Sequence, residues 1–183
     1  MRKHVTWMLC AATAAVAASA ATSPLEAQFA RARVWPPGFT TQLALDTMTT
    51  PTELDAPYGK VFTATVAAFE EFRIAFDTRD SVRGMIGNLA IKKSGSFAGA
   101  QLSRWMNCGQ GMTGPNADNF RIYIAIAALL DRVASTNRTQ IRVAMVAGAQ
   151  DMQGNAKDAV ACGSSGALES KILESVKKRV SGP

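Results

Sequence analysis

Cys108 and Cys162 are the two cysteines left when the first residues are removed as a leader, and that leader also takes the chain's single histidine, His4. Two thiols in an exported chain allow one pairing, so a Cys108–Cys162 disulfide is expected. Closing that 55-residue loop contributes about 4 kcal/mol in the chain-entropy treatment. The thiols lack Cys-x-x-Cys spacing and a nearby histidine, so a structural bridge fits better than a reactive pair. Without a mature histidine, a Ser-His-Asp arrangement has no general base, and two cysteines leave a zinc site short of ligands.

The remaining patterns with chemical meaning are weaker. Gly109-x-Gly111-x-x-Gly114 spells a dinucleotide fingerprint, but that motif needs a helix N-terminus after it to hold pyrophosphate. Here Pro115 and Asn116 follow, then a strand, so the glycines are expected to serve a tight loop beside the disulfide. Ser175-x-x-Lys178 has Ser-Lys dyad spacing on a helix end. Asp77 and Asp80 lack the alternating oxygen ligands of a calcium loop. Asp118 and Asp131 are a carboxylate pair for glycosidase chemistry in principle, and a carboxylate-only hydrolase is the enzymatic alternative. No metal and no cofactor are expected. Trp105 and Met112 flank the glycine-rich loop, and with Arg104 and Arg121 at its rim they form a candidate binding surface. Trp35 and Phe97 are further aromatic candidates, although a strand tryptophan usually packs in a core.

The leader follows the export pattern. Arg2, Lys3 and His4 precede the apolar run from Val5 to Ala20, and small residues at Ala18-Ser19-Ala20-Ala21 come before Pro24. Sixteen residues fall short of the roughly 20 needed to span a bilayer. A signal peptide over 1–27 is therefore expected, cut somewhere between 20 and 28. Trp7-Met8-Leu9 before Cys10 does not suit a lipidated cysteine. Ile122–Leu130 is the longest later apolar run, and nine residues suit a buried strand rather than a membrane span.

Removing 20 to 27 of the 183 residues leaves 156 to 163, enough for one domain with its own core. The formal charge of +6 drops by two with Arg2 and Lys3, or by one net when Glu26 also leaves, giving +4 or +5. The basic residues are scattered, with no basic stripe and no aromatic platform, so nucleic acid is not an expected partner. An envelope protein or a small apolar ligand is.

The elements that must position these residues read as follows. Residues 28–40 form an irregular lead-in, and 41–183 a single domain. Leu43 and Leu45 mark a strand over 41–47. Asp55 can cap a helix over 57–72, in which Tyr58, Phe62, Val66, Phe69 and Phe72 recur at near-helical spacing. Ile74 and Phe76 mark a short strand before a turn at 77–80; Met85, Gly87, Leu89 and Ile91 mark the next, and 100–107 a weaker one. Ile122, Ile124 and Ile126 alternate against Arg121, Tyr123 and Ala125, with Ile141, Val143, Met145 and Ala147 as an antiparallel neighbour across a polar turn. Leu168, Ile172, Val176 and Val180 stripe a final helix, capped by Ser164 or Ser165. The sum is an α+β fold, β-α-β-β-β-β-β-α: an antiparallel sheet of about five or six strands with two helices on one face.

This order resembles the helix-grip domains of bacterial envelope proteins, including domains of outer-membrane assembly lipoproteins. The likeness rests on Pro57-Tyr58-x-x-Val61-Phe62 to Asp77-Thr78, with Gly84-x-Ile86 following. It rests also on Cys162-x-Ser164-x-Gly166-x-Leu168-Glu169, which looks like the last cysteine and helix start of exported bacterial proteins. The lipoproteins' lipidated cysteine has no counterpart here. The resemblance implies a fold and a compartment, periplasmic or secreted; the residues themselves, short of catalytic side chains, favour a non-enzymatic role by binding.

Overall fold

The computed structural model describes residues 30–152 and 158–182; the expected leader lies outside them. A two-residue pair, β1 (Arg33–Val34) with β2 (Leu43–Ala44), leads to β3 (Thr52–Leu54) and helix α1 (Tyr58–Glu71). Then come β4 (Thr78–Asp80), β5 (Met85–Lys93), β6 (Ser96–Phe97) and β7 (Ala100–Gln101). After these follow β8 (Met106–Asn107), β9 (Gln110–Gly111), β10 (Gly114–Pro115) and the short α2 (Asn116–Asn119). The chain closes with β11 (Arg121–Arg132), β12 (Thr139–Gln150), β13 (Val160–Ser164) and α3 (Ala167–Ser181).

The fold is α+β and sheet-dominated. The long hairpin β11–β12 is its spine, paired from Arg121 with Gln150 to Arg132 with Thr139. Around it an antiparallel sheet of seven strands runs β4-β5-β11-β12-β13-β8, with β3 also on β12. That exceeds the five or six strands expected. The unforeseen members, β3 and β13, are three and five residues long and carry too little period-two alternation to register. The region 100–107, read as one strand, is β7 and β8 around a 3-10 turn at Leu102–Arg104.

Alternation along the spine buries both faces. Ile122, Ile124, Ile126, Leu130, Ile141 and Val143 share a core with Val61, Phe62, Leu168, Ile172 and Val176 of the two long helices. Ala125, Ala127, Leu129, Ala144 and Val146 face the other way, against Ala32, Val34 and Leu45. The lead-in thus packs across the face opposite the helices. Gly148 makes this approach feasible, since a Cβ there would stand 2.0 Å from the Pro37 carbonyl oxygen. The Arg31 guanidinium anchors the segment: it pairs with both Asp131 carboxylate oxygens at 3.0 Å and with Asp46 at 3.0 Å.

Three local expectations need correction. The strand read at Ile74–Phe76 is absent, because Arg73 (φ 55°) and Ile74 close α1 instead. The Ile74 N–H reaches the Phe69 carbonyl and the Arg73 N–H the Glu70 carbonyl, both at 2.9 Å, a Schellman ending whose apolar contact mimics a strand residue. The strand is β4, and the turn follows it, held by Asp80 Oδ1 accepting from the Val82 and Arg83 N–H groups at 2.9 Å. Pro57, rather than Asp55, stands at the α1 N-cap, with no side-chain cap. Gly166 is the α3 N-cap; Ser164 and Ser165 act just upstream, accepting the N–H groups of Gly166 (3.1 Å) and Ala167 (3.4 Å).

The Cys108–Cys162 disulfide is present. It joins the end of β8 to β13, next to the pairs Asn107–Gly163 and Met106–Ser164. Ser165 continues the tie, its N–H and hydroxyl both donating to the Trp105 carbonyl at 2.9 Å. The bridge therefore pins the strand that launches α3. Among the described residues no helix is long and apolar enough to cross a membrane.

Candidate functional site

The outer edge of β12 is shared by two short strands that do not meet. β3 pairs with Thr139–Ile141, and β13 pairs with Ala147–Ala149. No described strand pairs with the stretch 142–146 on that edge. At this gap lies an open cleft of about 470 Å³, walled by Phe39 and Met48 from the chain before β3, by Met145 and Val146, and by Ala161 to Ser164. The first turn of α3 supplies Gly166 and Glu169.

Glu169 is the chemically distinctive group in this cleft. A first-turn acid is ordinary on a helix, where it complements the dipole in solvent, but Glu169 is only 7 % exposed. Its Oε1 accepts a hydrogen bond of 2.6 Å from the Ser164 hydroxyl. Its Oε2 is buried with no partner in the protein, and so is the hydroxyl of Thr49, another residue that lines the cleft. Burial raises the Glu169 pKa above the usual carboxylate value, against the opposing hydrogen bonds from Ser164 and its own backbone N–H. Cys162, also on the wall, is disulfide-bonded, which leaves Glu169 as the one titratable group among the lining residues. The cleft thus offers apolar walls and one carboxyl, whose pKa burial raises.

A second groove, of about 340 Å³, lies on the lead-in face and is lined by Arg33, Trp35, Lys92 and Tyr123 among others. Trp35 is 67 % exposed, its indole N–H donating to the Phe39 carbonyl at 2.7 Å. The Lys92 ammonium lies 5.6 Å from the Tyr123 ring centroid.

The residues singled out from sequence do not assemble into one surface. Trp105 is 3 % exposed and donates from its indole N–H to the carbonyl of the likewise buried Phe97 at 2.7 Å. Arg104 covers it from outside, its guanidinium 5.8 Å from the ring. Met112 is fully exposed at the β9–β10 turn, and Arg121 is exposed at the start of β11. A hollow of about 250 Å³ beside the disulfide is lined by Met106, Asn107, Gln110 and Pro115 among others, and by none of these four.

The weaker patterns have structural employment. Gly111 and Gly114 face each other in the β9–β10 ribbon, ahead of a four-residue helix. Ser175 donates to Glu71 at 2.6 Å, and Arg179 pairs with the same carboxylate at 2.9 Å, joining α3 to α1. Asp118 accepts the Ser103 N–H at 2.9 Å, while Asp131 lies at the far end of β11, about 30 Å of strand away. That separation far exceeds the spacing of a glycosidase carboxylate pair. Among the described residues no group of three or more His, Cys, Asp or Glu side chains could hold a metal.

Glu169 is the functional candidate that sequence reading passed over. One signal for it existed: Glu169, Ile172, Val176 and Val180 recur at spacings of three, four and four, which sets the acid on the buried stripe. No protein-family profile matches the chain, and no curated protein matches it.

Proposed function

We propose that the chain is an exported, non-enzymatic binding protein of the bacterial cell envelope that seats a small, largely apolar ligand in the cleft between β12, β13 and α3. One observation carries this reading: an open cleft lies where no described strand covers 142–146 of β12, and its walls are apolar apart from Glu169, Thr49 and Ser164. The volume of about 470 Å³ falls in the range of small-molecule sites. Glu169 has no second acid and no histidine or lysine among the lining residues beside it, which supports binding over turnover. The leader and the disulfide support an oxidising compartment.

Native mass spectrometry of the protein purified from a bacterial periplasm tests the reading. The expected result is a retained small mass that is lost on Glu169→Leu substitution, in a chain whose N-terminus lies between 21 and 28. A wild-type protein that carries no mass and whose melting temperature no compound in an apolar library raises would overturn it.

A second reading is docking to another envelope component, and the Trp35 groove favours it. An exposed tryptophan flanked by two cationic side chains is a typical interface anchor. Under that reading Trp35→Ala abolishes capture of the partner while the mass retained in the cleft is unchanged.

A further inference from the structure

The groove on the lead-in face carries charge of one sign. Arg33 and Lys92 line it, and no acidic residue does. Strand alternation brings a further cation to its rim. Ile122 is buried on the helix side of β11, so Arg121 and Tyr123, one position to either side, share the lead-in side about 7 Å apart along the strand. Tyr123 stands opposite Lys92 of β5, whose ammonium rests on its ring. Among the described residues neither Lys92 nor Arg121 takes part in an ion pair. The exposed Trp35 lines the same groove, its indole N–H held by the Phe39 carbonyl.

We infer that this groove docks an acidic segment of an envelope polypeptide, which lays a large apolar side chain on Trp35 and sets carboxylates against Lys92 and Arg121. This rests on the second reading above, docking to an envelope component, and is independent of the cleft at Glu169. The cations select the partner and speed its encounter, while the held indole is the anchor that gains from desolvation. Two other occupants fit less well. A second copy of this chain, with its formal charge of +6, brings like charge to the same face. A flat bilayer meets Trp35 but does not enter the recess in which Tyr123 lies half-buried.

The segment docks through side chains rather than as an added strand. β4 covers the outer edge of β5 at 85–87. Farther along, Leu89 and Ala90 stand against the single residue Ala125 of β11, which makes a bulge. The Ala90 N–H is taken by Asn88 Oδ1 at 2.9 Å, and Lys92 and Lys93 follow, both exposed. A bulge and exposed lysines are devices that block strand addition at a sheet edge.

The test pans a random peptide library displayed on phage against the mature protein and, in parallel, against Trp35→Ala. The peptides enriched on wild type alone are expected to be net acidic and to carry a large apolar residue. A synthetic peptide from that pool is then titrated into nitrogen-15-labelled protein, following the amide resonances of Lys92 and Tyr123. Its affinity should fall about tenfold in Trp35→Ala and about two- to fivefold in Lys92→Gln, further in Lys92→Glu, and in wild type as salt rises. Trp35 and Lys92 are exposed, so these variants should melt as wild type does by circular dichroism. Vesicles of phosphatidylglycerol and phosphatidylcholine are the competing probe, read by the fluorescence of Trp35.

Two outcomes overturn the acidic polypeptide while leaving the groove as a docking site. One is Trp35-dependent enrichment of neutral or basic peptides. The other is a blue shift of Trp35 on vesicles that bind more tightly than any selected peptide, which makes the partner a lipid surface. If neither peptides nor vesicles engage Trp35, the docking reading falls along with the partner class.

Discussion

Replacing Cys108 and Cys162 together by alanine frees a loop whose ends are separated by 54 positions. In the chain-entropy treatment, closure of that loop lowers unfolded-state entropy by about 14 cal/mol/K, or about 4 kcal/mol at 25 °C. Both cysteines are buried, at 1 % and 3 % exposure, and alanine is chosen over serine so that no unpaired hydroxyl is introduced. The described residues number 148, as 123 in 30–152 and 25 in 158–182. Their unfolding entropy near the melting temperature is about 0.3 kcal/mol/K, so the melting temperature should fall by about 13 °C. Circular dichroism melts of wild type and the double variant, each with and without reductant, read this directly. Reductant should bring wild type down to the variant and leave the variant unmoved. Loss should also be local: β8 pairs with β13 through just two residue pairs, so amide exchange at Met106 and Asn107 should accelerate more than in β11. A drop under about 3 °C, or both thiols alkylating in unreduced protein recovered from an oxidising compartment, would refute the reasoning.

Other perturbations test the remaining contacts. Gly148→Ala sets a methyl against the Pro37 backbone at 2.0 Å; displacing the lead-in should cost about 2 kcal/mol or more in denaturant melts and shift Trp35 fluorescence. Arg31→Lys keeps the charge but loses the fork that spans Asp46 and Asp131, so a loss of about 2 kcal/mol is expected in the same melts, discounted for the part-exposed Asp131. Glu169 has a raised folded pKa, so the native state holds its proton longer than the unfolded chain. Its contribution is therefore fully present below the unfolded pKa and declines as pH rises toward the folded one. Glu169→Gln should gain stability relative to wild type across that window, and a difference that does not change with pH would refute the assignment. Glu71 has a pKa lowered by the Ser175 hydroxyl and then Arg179, but it is nearly half exposed. Glu71→Ala should therefore change stability by less than about 1 kcal/mol.

Several parts of the fold were legible because a single periodicity governs them. Ile122, Ile124 and Ile126 against Ile141, Val143 and Met145 announced the β11–β12 hairpin, and it forms with its polar turn where expected. Tyr58 to Phe69 announced α1, which begins and ends within a residue of the expected 57–72. Ile74 misled because an apolar residue after a helix has two uses, as a Schellman contact or as a strand start. Composition cannot separate them; the positive φ of Arg73 does.

From residue order alone, this chain declares its α+β class, its hairpin spine and its two long helices, since each depends on local spacing. Tertiary structure alone decides that the lead-in lies across the second face. Ala125, Ala127 and Ala144 carry no strong apolar signal, and they form a seat only once the strands stand side by side. It alone leaves the stretch 142–146 of β12 without a strand neighbour. And it alone turns Glu169 from an ordinary first-turn acid into a buried carboxyl with one oxygen lacking a partner in the protein. The cleft it borders is assembled from 39–49, 145–146 and 161–164, and proximity between such distant segments is a property of the assembled fold.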